Sequence, residues 1–399
     1  MKLLFLDGVT SCYRDTDGKL YTSGNMAGSI MERYSAFCDK LVLMLLESSK
    51  IYTPAEAMAN FIPVDTERVE VVAMPNIRGS LKNFLNLKYR KKGAVIIDRE
   101  IQKADRVIVR APGRFYTNTA LKCCRKYHKL YLIESVDFPF EYTYYTRVWM
   151  FAPYCEFTAK REIAKAPYVL YVTEHAMQDR YPTSGKALGC SDVDLDDLDE
   201  AVLSKRTLRI NTYKGGGIER IVFGTAAYYS KLKGQEYVIR AVGELKKQGI
   251  TNIEYHIAGI VTPRYLKQIT ALTKELNIED NIKLSGSIPH DKMSDWFDHI
   301  DAYIQPSLME GLSRSIVEAM SRALPAACSS AGGNIELVSE NMMFEAGNAV
   351  QIAEVMKKLL DPETQLREAE YSFTKAKEFN KSLLDPIRRK FYMDFINGN

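Results

Sequence analysis

The 399 residues suffice for two domains of ordinary size, and 46% hydrophobic with 26% charged residues is a soluble globular balance. No window reaches the roughly 18 consecutive apolar residues of a membrane span, and the apolar run of the opening MKLLFLDG is too short for a signal peptide, so it is read as a first strand. Seven cysteines without a C-x-x-C spacing fit neither a disulfide framework nor a zinc site and point to a reducing cytoplasm, while a net charge of +4 gives no nucleic-acid footprint.

In chain order, KLLFLD (2–7) reads as a strand, followed by a long polar loop, SCYRDTDGKLYTSGN, that reaches Gly24, Asn25 and Gly28 before a helix, MERYSAFCDK. Further strands are expected at 40–48, 68–75, 105–112, 129–135 and 168–173. These are apolar runs rich in β-branched residues, separated by helical lengths. That pattern predicts a parallel sheet covered on both faces, of doubly wound type.

Between 182 and 216 the texture becomes loop-rich and acidic, and a domain boundary is expected there. Ser184-Gly185-Lys186 imitates a P-loop tail, but it has neither the earlier glycine nor the following Ser/Thr. Asp192, Asp194 and Asp196 have Asp-x-Asp spacing; an acidic linker face is the preferred reading over a metal site. Strands then recur at 220–225, 252–259, 281–286 and in AYIQ (302–305), again alternating with helices. A second doubly wound domain follows from that order. The expected layout is a first domain 1–200, a second 201–375, and a C-terminal helix 376–399 packing back on the first.

The stretch from Pro306 to Gly333, PSLMEGLSRSIVEAMSRALPAACSSAGG, organises the rest. Glu310 ends a loop, Gly311 allows a sharp turn, and Ser313 is a candidate N-cap for the helix SRSIVEAMSR. Glu318 follows Glu310 by eight residues, about 12 Å if helical. Two carboxylates flanking a helix N-terminus suit a ligand with hydroxyls at both ends and an anion between, as in a nucleotide-sugar.

This segment resembles the signature of retaining glycosyltransferase family 4, bacterial capsular and exopolysaccharide type. The resemblance extends over about 220 to 345. It implies a GT-B fold, two Rossmann-like domains facing across a cleft, and a metal-independent hexosyltransferase using a nucleotide-diphosphate-sugar as co-substrate without a further cofactor. By the same resemblance Glu318 binds the ribose, Glu310 faces the donor sugar near its reacting carbon, and Lys233 of the KG pair neutralises the departing phosphate. Gly311, Leu312 and Ser313 offer backbone to the sugar or phosphate. Gly259 keeps a strand-end glycine, and Gly286, Ser287 and Ile288 form the loop that packs on the base. The family's G-R arginine is missing after Gly224, and Lys231 is the expected substitute. No histidine stands where many members carry one; Asp137, in LIESVDFPFEY, is the acidic candidate near the acceptor.

Two stretches bear on that acceptor, a glycan or lipid-linked glycan. SLKNFLNLKYRKK (80–92) sets leucines beside lysines, either an amphipathic membrane-surface element or an ordinary surface helix. FPFEYTYYTRVWMFAPY (138–154) is dense in aromatics that suit sugars, lipid or core. The expected location is cytoplasmic, with peripheral contact to the membrane's inner face. The rivals are another GT-B enzyme class, an epimerase or phosphorylase, and a degenerate sugar-binding subunit.

Overall fold

The apolar runs become parallel strands in both halves of the chain. The computed structural model describes residues 1–22, 29–67, 69–78, 81–146, 148–214 and 220–398. Contacts divide the chain into two units, Met1–Cys190 with Ile387–Asn399, and Ser191–Pro386. Gly24, Asn25, Gly28 and Gly215 to Gly217 lie outside the described residues.

The first unit contains β1 (Lys2–Asp15), β2 (Leu20–Thr22), β3 (Lys40–Tyr52), β4 (Ile62–Pro63), β5 (Val69–Met74), β6 (Arg106–Arg110), β7 (Leu130–Ser135), β8 (Tyr168–Tyr171) and β9 (Lys186–Gly189). Its parallel core runs β5-β3-β1-β6-β7-β8-β9. Leu3 to Leu6, Leu41 to Leu46 and Val107 to Val109 are buried without alternation, as strands covered on both faces must be.

The polar loop expected after the first strand is instead a hairpin. β1 continues to Asp15, turns through Gly18 at φ 82°, and pairs antiparallel with β2. The Asp15 carboxylate fixes this turn, accepting from the Asp17 and Lys19 amides at 3.0 and 2.8 Å and the Tyr21 hydroxyl at 2.9 Å. The Asp-Gly pair at 17–18 is a hairpin signal that polar composition obscured. Ser184 and Gly185 lead into β9, where a Cβ on Gly185 would lie 2.1 Å from the Ala166 carbonyl oxygen, so that glycine serves backbone packing.

The second unit contains β10 (Ile221–Ala226), β11 (Ile253–Ala258), β12 (Ile282–Gly286), β13 (Ala302–Gln305), β14 (Ala326–Ser329) and β15 (Met343–Phe344). All pair in parallel in the order β12-β11-β10-β13-β14-β15. Strand order therefore reverses beside β10, whose neighbours are β11 and β13. In such sheets ligands bind at the carboxyl ends of the strands near that reversal.

The division falls at 190/191 rather than 200/201, because Leu195 bonds to a distant part of the second unit. Its amide donates to the Phe379 carbonyl at 3.1 Å, and its carbonyl accepts from Lys381 at 2.7 Å. Of the expected terminal helix, residues Lys381–Asn397 are helical, and only the part from Ile387 onward joins the first unit.

Candidate functional site

β10 and β13 lie side by side and end together. After β10 the chain makes a 3-10 turn, Lys231–Lys233, capped by Ser230, whose hydroxyl accepts from the Lys233 amide. Gly234 closes the turn at φ 69°, and a Cβ there would meet the Pro306 carbonyl oxygen at 2.1 Å. The Leu308 amide donates to the Leu232 carbonyl at 2.8 Å. Backbone bonding thus joins the lysine turn to the loop carrying Glu310.

The two expected catalytic side chains of this unit meet. Lys233 Nζ donates to Glu310 Oε1 at 2.7 Å. The same oxygen accepts from the Ser307 hydroxyl at 2.7 Å and from Gln305 Nε2 at 3.3 Å. Among the described residues, no donor reaches Glu310 Oε2. Burial works against the Lys233 charge, but the adjacent Glu310 carboxylate outweighs it and raises the ammonium pKa above its ordinary value.

Gln305 and Ser307 were not anticipated as site residues. Gln305 is fully buried, with its Oε1 accepting from the Tyr303 hydroxyl at 2.7 Å and the Ser315 hydroxyl at 3.3 Å. Ser329 Oγ donates to the Ser307 carbonyl at 2.6 Å. A polar residue ending an apolar strand, AYIQ, was the available signal, since an unpaired buried amide is costly.

The helix spans Arg314–Ser321, with Ile316, Val317 and Met320 buried. Only the latter part of the Glu310-to-Glu318 interval is therefore helical, and the 12 Å figure for a continuous helix does not hold. Ser313 sits at the N-cap position, yet its hydroxyl makes no cap bond; it lies 3.3 Å from Ser315 Oγ instead. Gly311 is not in the left-handed region; its carbonyl accepts from the Gly333 amide at 2.9 Å. Leu312 is buried beside it.

Glu318 is half-buried, and no described residue donates to its carboxylate. Burial raises its pKa above the ordinary glutamate value, opposed by Arg314 and His290. His290 follows the segment Gly286–Ser287–Ile288, in which Gly286 and Ser287 are exposed and Ile288 is half-buried. Gly259 follows β11 at φ 139°, and a Cβ would lie 2.2 Å from the Ala227 carbonyl oxygen. Its amide donates to the Gly286 carbonyl at 2.7 Å, tying the two strand ends together. Lys231 is exposed.

Asp137 belongs to the first unit, just past β7. Its Oδ2 accepts from the Arg114 guanidinium at 2.5 Å, and Arg114 stacks over the Tyr142 ring at 4.6 Å. Asp194 and Asp196 are exposed and Asp192 half-buried. Among the described residues, no group of three or more His, Cys, Asp or Glu is placed to hold a metal.

Residues 217–376 match the family model described as Glycosyl transferases group 1. With the two parallel sheets, this defines a glycosyltransferase domain in a chain of GT-B fold. Over 366 residues the chain is 28% identical to Protein CapJ of Staphylococcus aureus, covering 90% of this chain and 86% of that one. It is 28% identical over 151 residues to the amylovoran biosynthesis glycosyltransferase AmsK of Erwinia amylovora, 36% of each chain. Sucrose-phosphate synthase from Thermosynechococcus elongatus superposes with a TM-score of 0.71 at 12% identity over all of both chains. HepE of Anabaena, solved with UDP and glucose, gives 0.61 at 16% identity, over 98% of this chain and 100% of that one.

Proposed function

We propose that this chain is a metal-independent retaining glycosyltransferase of family 4. It transfers a hexose from a nucleotide-diphosphate-sugar to a glycan or lipid-linked glycan during capsule or exopolysaccharide synthesis. The observation that carries the reading is the three-donor clamp of Lys233, Ser307 and Gln305 on Glu310 Oε1, at the ends of β10 and β13. The clamp fixes the carboxylate while leaving its second oxygen available for a sugar hydroxyl. HepE, solved with UDP, with UDP and glucose, and with UDP-glucose, supports a nucleotide-sugar donor. CapJ and AmsK support the polysaccharide setting.

In this reading the bond from the sugar's anomeric carbon to the diphosphate oxygen breaks, and its electron pair leaves with that oxygen. The acceptor hydroxyl oxygen bonds to the anomeric carbon on the same face, and its proton passes to the departing phosphate. The Lys233 ammonium and the N–H groups opening Arg314–Ser321 stabilise the leaving charge. Glu318 accepts from the ribose hydroxyls, Lys231 adds positive potential, and Gly259 with Gly286, Ser287 and Ile288 borders the base. Asp137, held by Arg114, is the acidic group assigned to the acceptor.

The test is transfer from a panel of nucleotide-sugars to lipid-linked glycans, with and without EDTA, and NMR of the new anomeric centre. Transfer that survives EDTA and keeps the donor's anomeric configuration supports the reading. Restoration by manganese after EDTA, or inversion, overturns the corresponding part. Donor binding with neither transfer nor hydrolysis would favour a degenerate binding subunit, the reading suggested by the missing G-R arginine.

A further inference from the structure

The first unit carries a basic and apolar face remote in sequence from Glu310 and Lys233. Between Glu70 and Asp98 the chain has no acid, yet it contains Arg78, Lys82, Lys88, Arg90, Lys91 and Lys92. These residues occupy the helices Leu81–Leu85 and Leu87–Lys103 and the turn before them. The arginines are engaged: Arg90 lies over Phe115 at 4.1 Å and Arg78 Nη1 donates to the Val9 carbonyl at 2.6 Å. Lys82, Lys88, Lys91 and Lys92 are exposed, and none has an ion-pair partner among the described residues. Three of them border an open depression with Val95 and Ile96.

Apolar groups adjoin these helices. Asn86 caps the second helix, accepting from the Lys88 and Tyr89 amides, which fixes the corner between the helices. Leu85 and Leu87 flank it, 55% and 74% exposed. Phe84 packs on Phe151 with ring centroids 5.4 Å apart. The 3-10 turn ending in Phe151 presents Trp149 and Met150, 59% and 66% exposed. Along the helix Ala152–Ala164, exposed Tyr154 and Phe157 extend the stripe from Met150 at helical spacing.

We propose that this face docks the protein on a membrane surface containing anionic lipid. Leucines and an indole beside unpaired lysines match what an interfacial layer takes up, with apolar tips below the headgroups and ammonium groups at the phosphates. Protein–protein interfaces take aromatics but are depleted of lysine. Four unpaired lysines therefore favour lipid phosphate over a protein partner. The inference needs no donor or acceptor, so it stands or falls separately from the proposed reaction.

The experiment is co-sedimentation of the full chain with phosphatidylcholine vesicles, with and without phosphatidylglycerol, across a salt series. Binding is expected only to the mixed vesicles and falls as salt rises. Lys88→Gln, Lys91→Gln and Lys92→Gln combined should weaken it about a hundredfold, at about fivefold per charge. Leu87→Ser with Trp149→Ser should weaken it while leaving the salt slope unchanged. Both variants should keep the parent's melting temperature, because every altered side chain is exposed. Equal binding to both vesicle types, no binding to either, or parent-like binding by both variants overturns the proposal. So does a parent oligomer that Leu87→Ser with Trp149→Ser converts to monomer with vesicle binding unchanged, which would make the face a contact between copies. Should the triple variant fail to fold, the salt series on the unaltered protein still decides.

Discussion

Glu310 presents two chemically different oxygens. Oε1 is saturated by Lys233, Ser307 and Gln305, so the carboxylate's position is set before any ligand arrives. Lys233→Ala removes both a clamp and the positive charge assigned to the departing phosphate. It is expected to raise the barrier to transfer by about 2–4 kcal/mol, comparable to losing one oxyanion donor; steady-state rates at saturating donor measure this. Glu318 differs because burial disfavours its charge without a compensating hydrogen bond. Its folded pKa is raised, so the folded state holds the proton more readily than the unfolded chain. Its contribution to stability is then complete below the ordinary glutamate pKa and lost as pH rises through the raised one. Glu318→Gln should therefore stabilise the ligand-free protein at neutral pH while weakening donor binding by about 1.5–3 kcal/mol. Thermal melts and titration calorimetry separate the two effects. Donor affinity in the parent should fall on acidification before an ordinary glutamate would protonate, and that fall should vanish in Glu318→Gln.

At the level of elements, continuous apolar runs marked the core strands because both faces of each sheet are covered. The β1–β2 hairpin was hidden because its short paired stretch lies in a segment of mostly polar residues and its turn depends on the Asp15 carboxylate. In the candidate site, Glu310, Glu318 and Lys233 were chosen from spacing and resemblance, and the structure brings Lys233 and Glu310 together. Gln305 was not, because its role depends on β13 ending beside the lysine turn, a tertiary fact. Gly234 was noted only as Lys233's neighbour, whereas its reason is steric. Gly234→Ala should force apart the Lys231–Lys233 turn and the Pro306 backbone, which a Cβ would approach to 2.1 Å. Left-handed backbone adds about 1 kcal/mol for a residue with a Cβ. The expected result is a loss of stability of more than that amount in urea unfolding, together with weakened donor binding. Stability and binding equal to the parent's would show that the two loops separate freely.

Across the whole molecule, both sheets share one order of six parallel strands, to which the first adds β9 at its edge and the β2 and β4 hairpin strands, yet only the first unit is completed by a segment from the other end of the chain. Tyr392 and Tyr34 both donate to Glu134 Oε1 at 2.7 Å, inside the first unit. Burial, reinforced by the Glu134 carboxylate, pushes both phenols well above the ordinary tyrosine value, so they remain donors throughout the working pH range. Phe391 and Phe395 meet the Tyr168 ring edge-on, and Arg106 Nε donates to the Ile396 carbonyl at 2.9 Å. The tail PIRRKFYMDFI is basic and aromatic, but nothing in its composition names Glu134 as the partner. Tyr392→Phe keeps the ring and deletes one hydrogen bond to a buried carboxylate, which should cost about 1.5–3 kcal/mol of stability. Phe395→Ala empties a fully buried position and should cost about 3–5 kcal/mol. Neither substitution touches Lys233, Glu310 or Glu318, so donor affinity measured well below the melting temperature should match the parent's. Urea unfolding and donor titration on the two variants check both halves. Unchanged stability in Phe395→Ala would mean that the terminal segment does not complete the first unit's core in solution.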